Sequence, residues 1–74
     1  MYQSELTAYA TQIADGAQRR FGADRYSARH DAYTRDAALD LWLSRPGFSV
    51  AHVDQVVSWA RVELGRRMPD GTRR

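Results

Sequence analysis

The sequence predicts an all-α protein, a small three-helix bundle, with an intertwined or helix-packed homodimer as the alternative assembly. Two observations support this prediction: apolar residues recur every three or four positions in three segments, and glycine or proline separates the segments. Residues 1–65 are expected to form one three-helix domain, followed by a flexible arginine-rich tail of residues 66–74. The expected helices span about residues 4–21, 27–44 and 49–64.

The first segment carries a single apolar stripe, which predicts a helix with one buried face. Ser4 is the predicted N-cap, and Gly22 is placed to end the helix. Gly16 costs about 1 kcal/mol of helix propensity relative to alanine, so it predicts a close approach by a neighbouring helix. The stripe consists of Leu6, Tyr9, Ala10, Ile13, Ala17 and Phe21.

The second segment begins after Asp24 or Ser27, either of which is suited to cap a helix. Asp31 and Arg35 are expected to form an ion pair on its solvent side. Towards its end, apolar side chains point in nearly every direction, so this part must be buried by its own domain or by another chain. The expected core face consists of Tyr26, Tyr33, Ala37 and Leu41.

The third segment follows an Arg-Pro-Gly turn at residues 45–47, where proline stops the second helix. Ser49 is the predicted N-cap, and Phe48 and Val53 have the spacing of a hydrophobic staple around it. Gly65 is expected to end the helix. The expected core stripe consists of Val50, Val53, Val57, Ala60 and Leu64.

The composition excludes several classes of protein. The chain has 74 residues and no cysteine, so it has neither disulfides nor a cysteine-based zinc site. No apolar run approaches the roughly 18 residues needed to cross a membrane, and the first residues lack the pattern of a signal peptide. We therefore expect a cytoplasmic protein that does not contact a membrane.

All eleven basic residues are arginine, but the positive charge is concentrated at one end. Residues 1–65 hold seven arginines and eight acids, whereas residues 66–74 hold four arginines and one acid. The expected domain is thus nearly neutral. This distribution gives little support to a nucleic-acid partner for the folded part.

The sequence lacks the residue patterns of an enzyme or a metal site. His30 and Asp31 are adjacent and point about 100° apart on a helix, so they form no dyad, and His52 is expected to help cap the third helix or to face solvent. Asp36 and Asp40 are interpreted as a solvated acidic stripe. No phosphate-binding loop and no metal-ligand spacing occurs, so we expect no catalytic residue, no cofactor and no bound metal.

A DNA-binding regulator is the first alternative function, because the second and third segments resemble a helix-turn-helix in their order. Their composition argues against it, since Asp54 lies among the exposed positions of the third helix and that helix carries a net negative charge. The candidate nucleic-acid contacts are Gln55, Arg61, Arg66, Arg67, Arg73 and Arg74.

Protein binding is the function that the sequence favours, because three short helices cannot enclose all of the apolar residues in the second and third segments. We expect a non-enzymatic accessory, regulatory or inhibitor protein of a bacterium or phage. A homodimer without a further partner is the second alternative function. The expected partner-binding residues are Leu39, Trp42, Leu43, Val56 and Trp59.

Overall fold

The computed structural model describes residues 2–68, which form three α-helices joined by two short links. Each helix packs against both of the others, and residues 2–68 contain no β-strand. The predicted all-α three-helix bundle is thus confirmed. None of these helices has the length and the apolar character needed to cross a membrane. The helices are α1 (Gln3–Phe21), α2 (Ala28–Ser44) and α3 (Val50–Arg67).

Helix α1 begins one residue earlier than its sequence pattern predicted. Tyr2 is the N-cap, and its backbone N–H donates a hydrogen bond of 3.0 Å to Glu5 Oε1. The predicted cap, Ser4, lies inside the first turn, so that prediction is wrong. Gly22 ends the helix as expected: its φ of 93° is one that L-residues rarely adopt, and its N–H donates to the Gln18 carbonyl.

The links between the helices contain the predicted turn and cap residues. Ser27 is the N-cap of α2 and Ser49 is the N-cap of α3, where its Oγ accepts a hydrogen bond from the His52 N–H. Between α2 and α3, the Phe48 N–H donates to the Arg45 carbonyl across a turn. Gly47, in the middle of this turn, has a φ of 83°, which explains the glycine there.

The core lies along the centre of the bundle and receives side chains from all three helices. Phe48 from the second link joins it and stacks on Tyr9 of α1 with ring centroids 5.9 Å apart. The larger cluster of buried side chains consists of Leu6, Ala10, Ile13, Ala38, Phe48, Val53, Val56 and Ala60. The smaller cluster consists of Ala14, Ala17, Leu64 and Met68.

Helix α3 continues through Gly65, so the predicted end at this glycine is wrong. The side chains of Leu64 and Met68 are completely buried and pack together in the smaller cluster. This packing extends the helix by most of a turn and outweighs the glycine penalty of about 1 kcal/mol. The predicted tail is therefore wrong for its first two residues, which belong to α3, and residues 69–74 lie outside the described part of the chain.

The buried face of α2 differs from the predicted one. His30, Thr34 and Ala38 are fully buried, whereas the predicted core residues of this helix are only partly buried. The two polar residues are tolerated because they are hydrogen-bonded: Thr34 Oγ1 donates to the His30 carbonyl at 2.8 Å, and both nitrogens of the His30 ring have partners. Apolar periodicity could not find this face because two of its three fully buried residues are polar.

The predicted close approach at Gly16 is present between α1 and α2. Gly16 is buried in α1, and the ring of Tyr33 from α2 lies directly over it. A Cβ atom built on Gly16 would overlap the Tyr33 hydroxyl and lie 3.0 Å from Tyr33 Cζ. The close approach of the Tyr33 side chain, rather than backbone conformation, therefore accounts for the glycine at this position.

Candidate functional site

Helix α3 buries three residues of the predicted core stripe, Val53, Ala60 and Leu64, but the stripe is rotated relative to the prediction at its edge. Val56 is fully buried in the larger cluster, whereas Val50, an expected core residue, is 57% exposed. The prediction that Val56 contacts a partner is therefore wrong. Valines occupy two neighbouring stripes of this helix, one with Val53 and Val56 and the other with Val50 and Val57. Packing against α1 and α2 buries the stripe that contains Val56. The other stripe is left facing the space between α2 and α3.

That space is an open groove of about 640 Å³, which we call the α2/α3 groove. Its α2 side includes Leu39, which is 38% exposed, and its α3 side includes Val50 and Val57. Val62, 59% exposed, extends the apolar surface to the outer ridge of α3. The complete lining is Arg35, Leu39, Val50, Val53, Asp54, Val57, Ser58, Arg61 and Val62.

Two other predicted partner-binding residues extend this surface along α2. Trp42 is 41% exposed and follows Leu39 by three residues and Arg35 by seven, so these three residues share one stripe of the helix. Leu43 is almost fully exposed near the end of α2. Leu39, Trp42 and Leu43 thus lie on neighbouring parts of one exposed surface.

The last predicted partner-binding residue, Trp59, lies elsewhere. Its ring is half-buried against the core and lines a smaller depression of about 350 Å³ between α1 and α3, beside Thr7 and Ala10. Val62 borders both this depression and the α2/α3 groove. Trp59 therefore lies on the side of α3 that faces α1, apart from Trp42 on the exposed stripe of α2.

Charged residues border one end of the α2/α3 groove. Arg61 Nε lies 3.3 Å from Asp31 Oδ1, and the same carboxylate oxygen accepts a hydrogen bond of 2.5 Å from Tyr26. Arg61 Nε is buried and has no hydrogen-bond partner within residues 2–68. Arg35 makes no ion pair with any described residue, so the predicted pair with Asp31 is wrong. Burial, followed by the hydrogen bond to Asp31, raises the pKa of Tyr26.

The arginines at the end of α3 are committed to contacts within the bundle. Arg67 Nη1 donates hydrogen bonds of 2.7 Å to both Asp15 and Gln18 of α1, and Arg67 Nε donates to Glu63. Burial acts to lower the pKa of Arg67, but its hydrogen bonds to Asp15 and Glu63 prevail, and the pKa is raised. Arg66 also pairs with Glu63, at 2.9 Å.

The remaining candidate nucleic-acid contacts do not assemble into a basic surface among the described residues. Gln55 is exposed on α3 beside Asp54, and Arg61 is paired with an acid. Arg73 and Arg74 lie outside the described part of the chain. Helix α3 thus presents few unpaired cations to a phosphate backbone.

Both histidines are used in helix caps. His30 is fully buried: its Nδ1 accepts a hydrogen bond of 3.1 Å from the Ser27 N–H, and its Nε2 lies 3.0 Å from the Gly22 carbonyl. His52 is partly exposed, and its Nδ1 accepts from the Ser49 N–H at 3.1 Å. The sequence contained a signal for this role, because Ser-x-x-His occurs at both helix starts in the spacing of a capping box.

The described residues offer no other obvious chemical centre. Within residues 2–68, no group of three or more histidine, aspartate or glutamate side chains is placed to hold a metal ion. The feature that brings together exposed predicted partner-binding residues is a surface: an open, partly apolar groove that is bordered by charges. Comparison with protein-family models, curated proteins and solved structures gives no match to this chain.

Proposed function

We propose that this chain is a non-enzymatic protein-binding module that uses the α2/α3 groove. The observation that carries this proposal is the continuity of exposed apolar side chains across two helices whose core is already filled. Leu39, Val50 and Val62 each remain at least 38% exposed, although the bundle buries smaller residues such as Ala38 and Ala60 completely. Covering apolar surface contributes about 25 cal/mol per Å², so this surface favours association.

The arrangement of the surface also suits a protein partner. Interfaces combine an apolar centre with a polar, partly hydrated rim. Here Leu39 and Val57 lie in the centre, and Arg35, Asp54 and Arg61 supply charges at the rim. Trp42, on the same stripe of α2 as Leu39, offers the type of side chain that most often anchors an interface.

The same proposal covers the cellular role: a cytoplasmic accessory, regulatory or inhibitor protein in a bacterium or phage. Such proteins act by occupying a surface of another macromolecule, which needs no catalytic group. The engagement of both histidines in helix caps supports this role, because it leaves neither of them available as a general base.

A site-specific photo-crosslinker tests the proposal. The crosslinking amino acid is placed at Val62, on the rim of the α2/α3 groove, and in a matched protein at Asp40, which is exposed and lines the separate α1/α2 groove. We expect protein adducts from position 62 and not from position 40. Adding Leu39→Asp to the first protein is expected to remove the adducts while the helical circular dichroism is unchanged.

Nuclease treatment of the extract separates a protein partner from a nucleic-acid partner. Protein adducts that survive the nuclease and disappear with Leu39→Asp support the proposal. Adducts that require intact nucleic acid, or that form equally from both positions, contradict it.

A further inference from the structure

We infer that the occupant of the α2/α3 groove is a second copy of this chain. In this arrangement, helix α3 lies antiparallel to α3 of the second copy, across a two-fold axis that passes between Val57 and Ser58. The inference rests on the proposed function, because it assigns a partner to the same groove. Three observations carry it: the spacing of one stripe of α3, the placement of its charges and the incomplete pairing of Arg61.

The stripe of α3 that lines the groove has the spacing of a helix-pairing seam. Val50, Asp54, Val57 and Arg61 follow one another at steps of four, three and four residues, and all four line the groove. Such alternating steps keep side chains on one side of a helix, facing a neighbouring helix. The bundle covers this seam only in part: Val50 and Asp54 are exposed and Val57 is partly buried, whereas Val53, Val56 and Ala60 are buried in the larger cluster.

The charges on the seam are complementary to themselves. Asp54 and Arg61 lie at equal distances on either side of the midpoint between Val57 and Ser58, about 10.5 Å apart along the helix. An antiparallel copy centred on that midpoint therefore places its Arg61 opposite Asp54, and its Asp54 opposite Arg61. A parallel pairing in register would instead bring like charges together, which is unfavourable.

Arg61 is only partly engaged within its own chain. Its Nε is buried 3.3 Å from Asp31 Oδ1 and has no hydrogen-bond partner among residues 2–68, whereas the side chain as a whole is 38% exposed, so the exposed part of the guanidinium can meet a second chain. Asp31 is already engaged by the Tyr26 hydroxyl. Arg35, which makes no ion pair within residues 2–68, lines the same groove and adds a second cation.

A second copy supplies partners of opposite charge for both the arginines and Asp54 of the groove. The groove presents its arginines and Asp54 at separate positions. Its occupant must therefore place an acidic group at the arginines and a cation at Asp54. An antiparallel copy provides both contacts, and the two-fold symmetry of the interface repeats each of them. Leu39 on each copy then flanks the paired α3 helices and covers their apolar seam.

Sedimentation equilibrium of charge-reversed variants tests the inference. The unmodified chain is expected to have twice its monomer mass of 8.4 kDa at micromolar concentration. Asp54→Arg and Arg61→Glu, each alone, place like charges opposite each other and are expected to raise the dimer dissociation constant by roughly tenfold or more. Mixing the two variants is expected to restore dimers that contain one copy of each, because both cross-pairs are again of opposite sign.

Two further variants make the test independent of folding effects. Asp40→Arg makes the same charge change as Asp54→Arg on the exposed side of α2 away from the α2/α3 groove, and its dimer is expected to be unaffected. Ser58→Arg places two arginines beside the two-fold axis from an exposed position, so it is expected to give monomers with unchanged helical circular dichroism. Ser58→Arg also tests the register if Arg61→Glu fails to fold.

The outcomes distinguish this inference from the proposed function. A monomeric unmodified chain, a dimer that Ser58→Arg leaves intact, or folded charge variants that do not recover on mixing would each overturn the inference. If the chain is monomeric and the crosslinker at position 62 still captures a different protein in a manner that depends on Leu39, the second copy is excluded and the proposed function stands. If the crosslinker captures no protein, both fail.

Discussion

His30 and His52 occupy the same position in two helix caps but differ in burial. In each cap, the ring Nδ1 accepts a hydrogen bond of 3.1 Å from the backbone N–H of a serine three residues earlier. His30 is fully buried and also reaches the Gly22 carbonyl, whereas His52 is partly exposed. The two sites therefore separate the effect of burial from the effect of capping.

Alanine substitution at the two histidines is expected to have unequal effects. His30→Ala leaves a cavity and two unpaired backbone groups, so we expect it to lower the free energy of unfolding by about 3 kcal/mol. His52→Ala removes a cap contact that water can replace, so we expect a loss of about 1 kcal/mol or less. Urea denaturation followed by circular dichroism measures both. Equal losses would contradict the role assigned to His30 burial.

Tyr26 is expected to make the stability of the protein fall at alkaline pH. Burial and its hydrogen bond to Asp31 raise the pKa of Tyr26 in the folded state above the ordinary value of 10.0. Above that pH the unfolded chain loses the phenolic proton while the folded chain retains it, so the free energy of unfolding decreases as the pH rises. At lower pH both states hold the proton, and the dependence disappears.

The contribution of Tyr26 is measured by comparing Tyr26→Phe with the unmodified chain. The variant lacks the proton, so its stability is expected to fall less steeply between about pH 9 and pH 11 in urea denaturation. Tyr2→Phe is the control, because the Tyr2 ring is exposed, and it is expected to retain the full slope. A Tyr26→Phe variant with the same slope as the unmodified chain would show that its hydroxyl is not the group responsible.

At the level of the helices, the sequence predicted their number, their type and most of their ends. Ser27, Gly22 and Ser49 have cap or turn chemistry that acts locally, so these boundaries could be predicted from neighbouring residues. The end of α3 could not, because it depends on the burial of Met68, the C-cap residue, against α1, a contact that is distant in the sequence. The buried face of α2 was missed for a related reason, since His30 is buried only because its ring is fully hydrogen-bonded.

The packing of α1 on α2 predicts a coupling between Gly16 and Tyr33. Alanine is favoured over glycine in a helix by about 1 kcal/mol, so Gly16→Ala would stabilise α1 if there were space for the methyl group. The Tyr33 ring occupies that space. We therefore expect Gly16→Ala to stabilise the protein when Tyr33 is alanine, and to give no stabilisation, or a loss, in the unmodified chain. A double-mutant cycle of unfolding free energies measures the difference, and additive effects would refute the steric explanation.

For the whole molecule, the sequence predicted that apolar residues would exceed what three helices can enclose, and it located only part of the excess. The end of α2 was predicted to be buried by its own domain or by another chain, and Leu39, Trp42 and Leu43 are not enclosed by their own domain. Val56 and Val57 could not be assigned to the core or the surface from periodicity, because both belong to apolar stripes of α3. The choice depends on the rotation of α3 against its neighbours, which only the assembled bundle fixes.

That rotation gives α3 a side that is buried in the core and a side that remains exposed. Substitutions on the buried side are expected to lower the free energy of unfolding much more than substitutions on the exposed side. Val56→Ala opens a cavity in the fully packed core and is expected to lower the free energy of unfolding by about 2 kcal/mol. Val62→Ala removes methyl groups that already contact water and is expected to change the free energy of unfolding by less than about 0.5 kcal/mol.

Urea denaturation at a protein concentration low enough to exclude association isolates these effects, because any binding partner would add its own stabilisation. Raising the protein concentration should then stabilise the Val56→Ala chain, whose groove is intact, more than the Val62→Ala chain. A Val62→Ala chain that is as unstable as Val56→Ala under dilute conditions would mean that the exposed side of α3 also supports the fold.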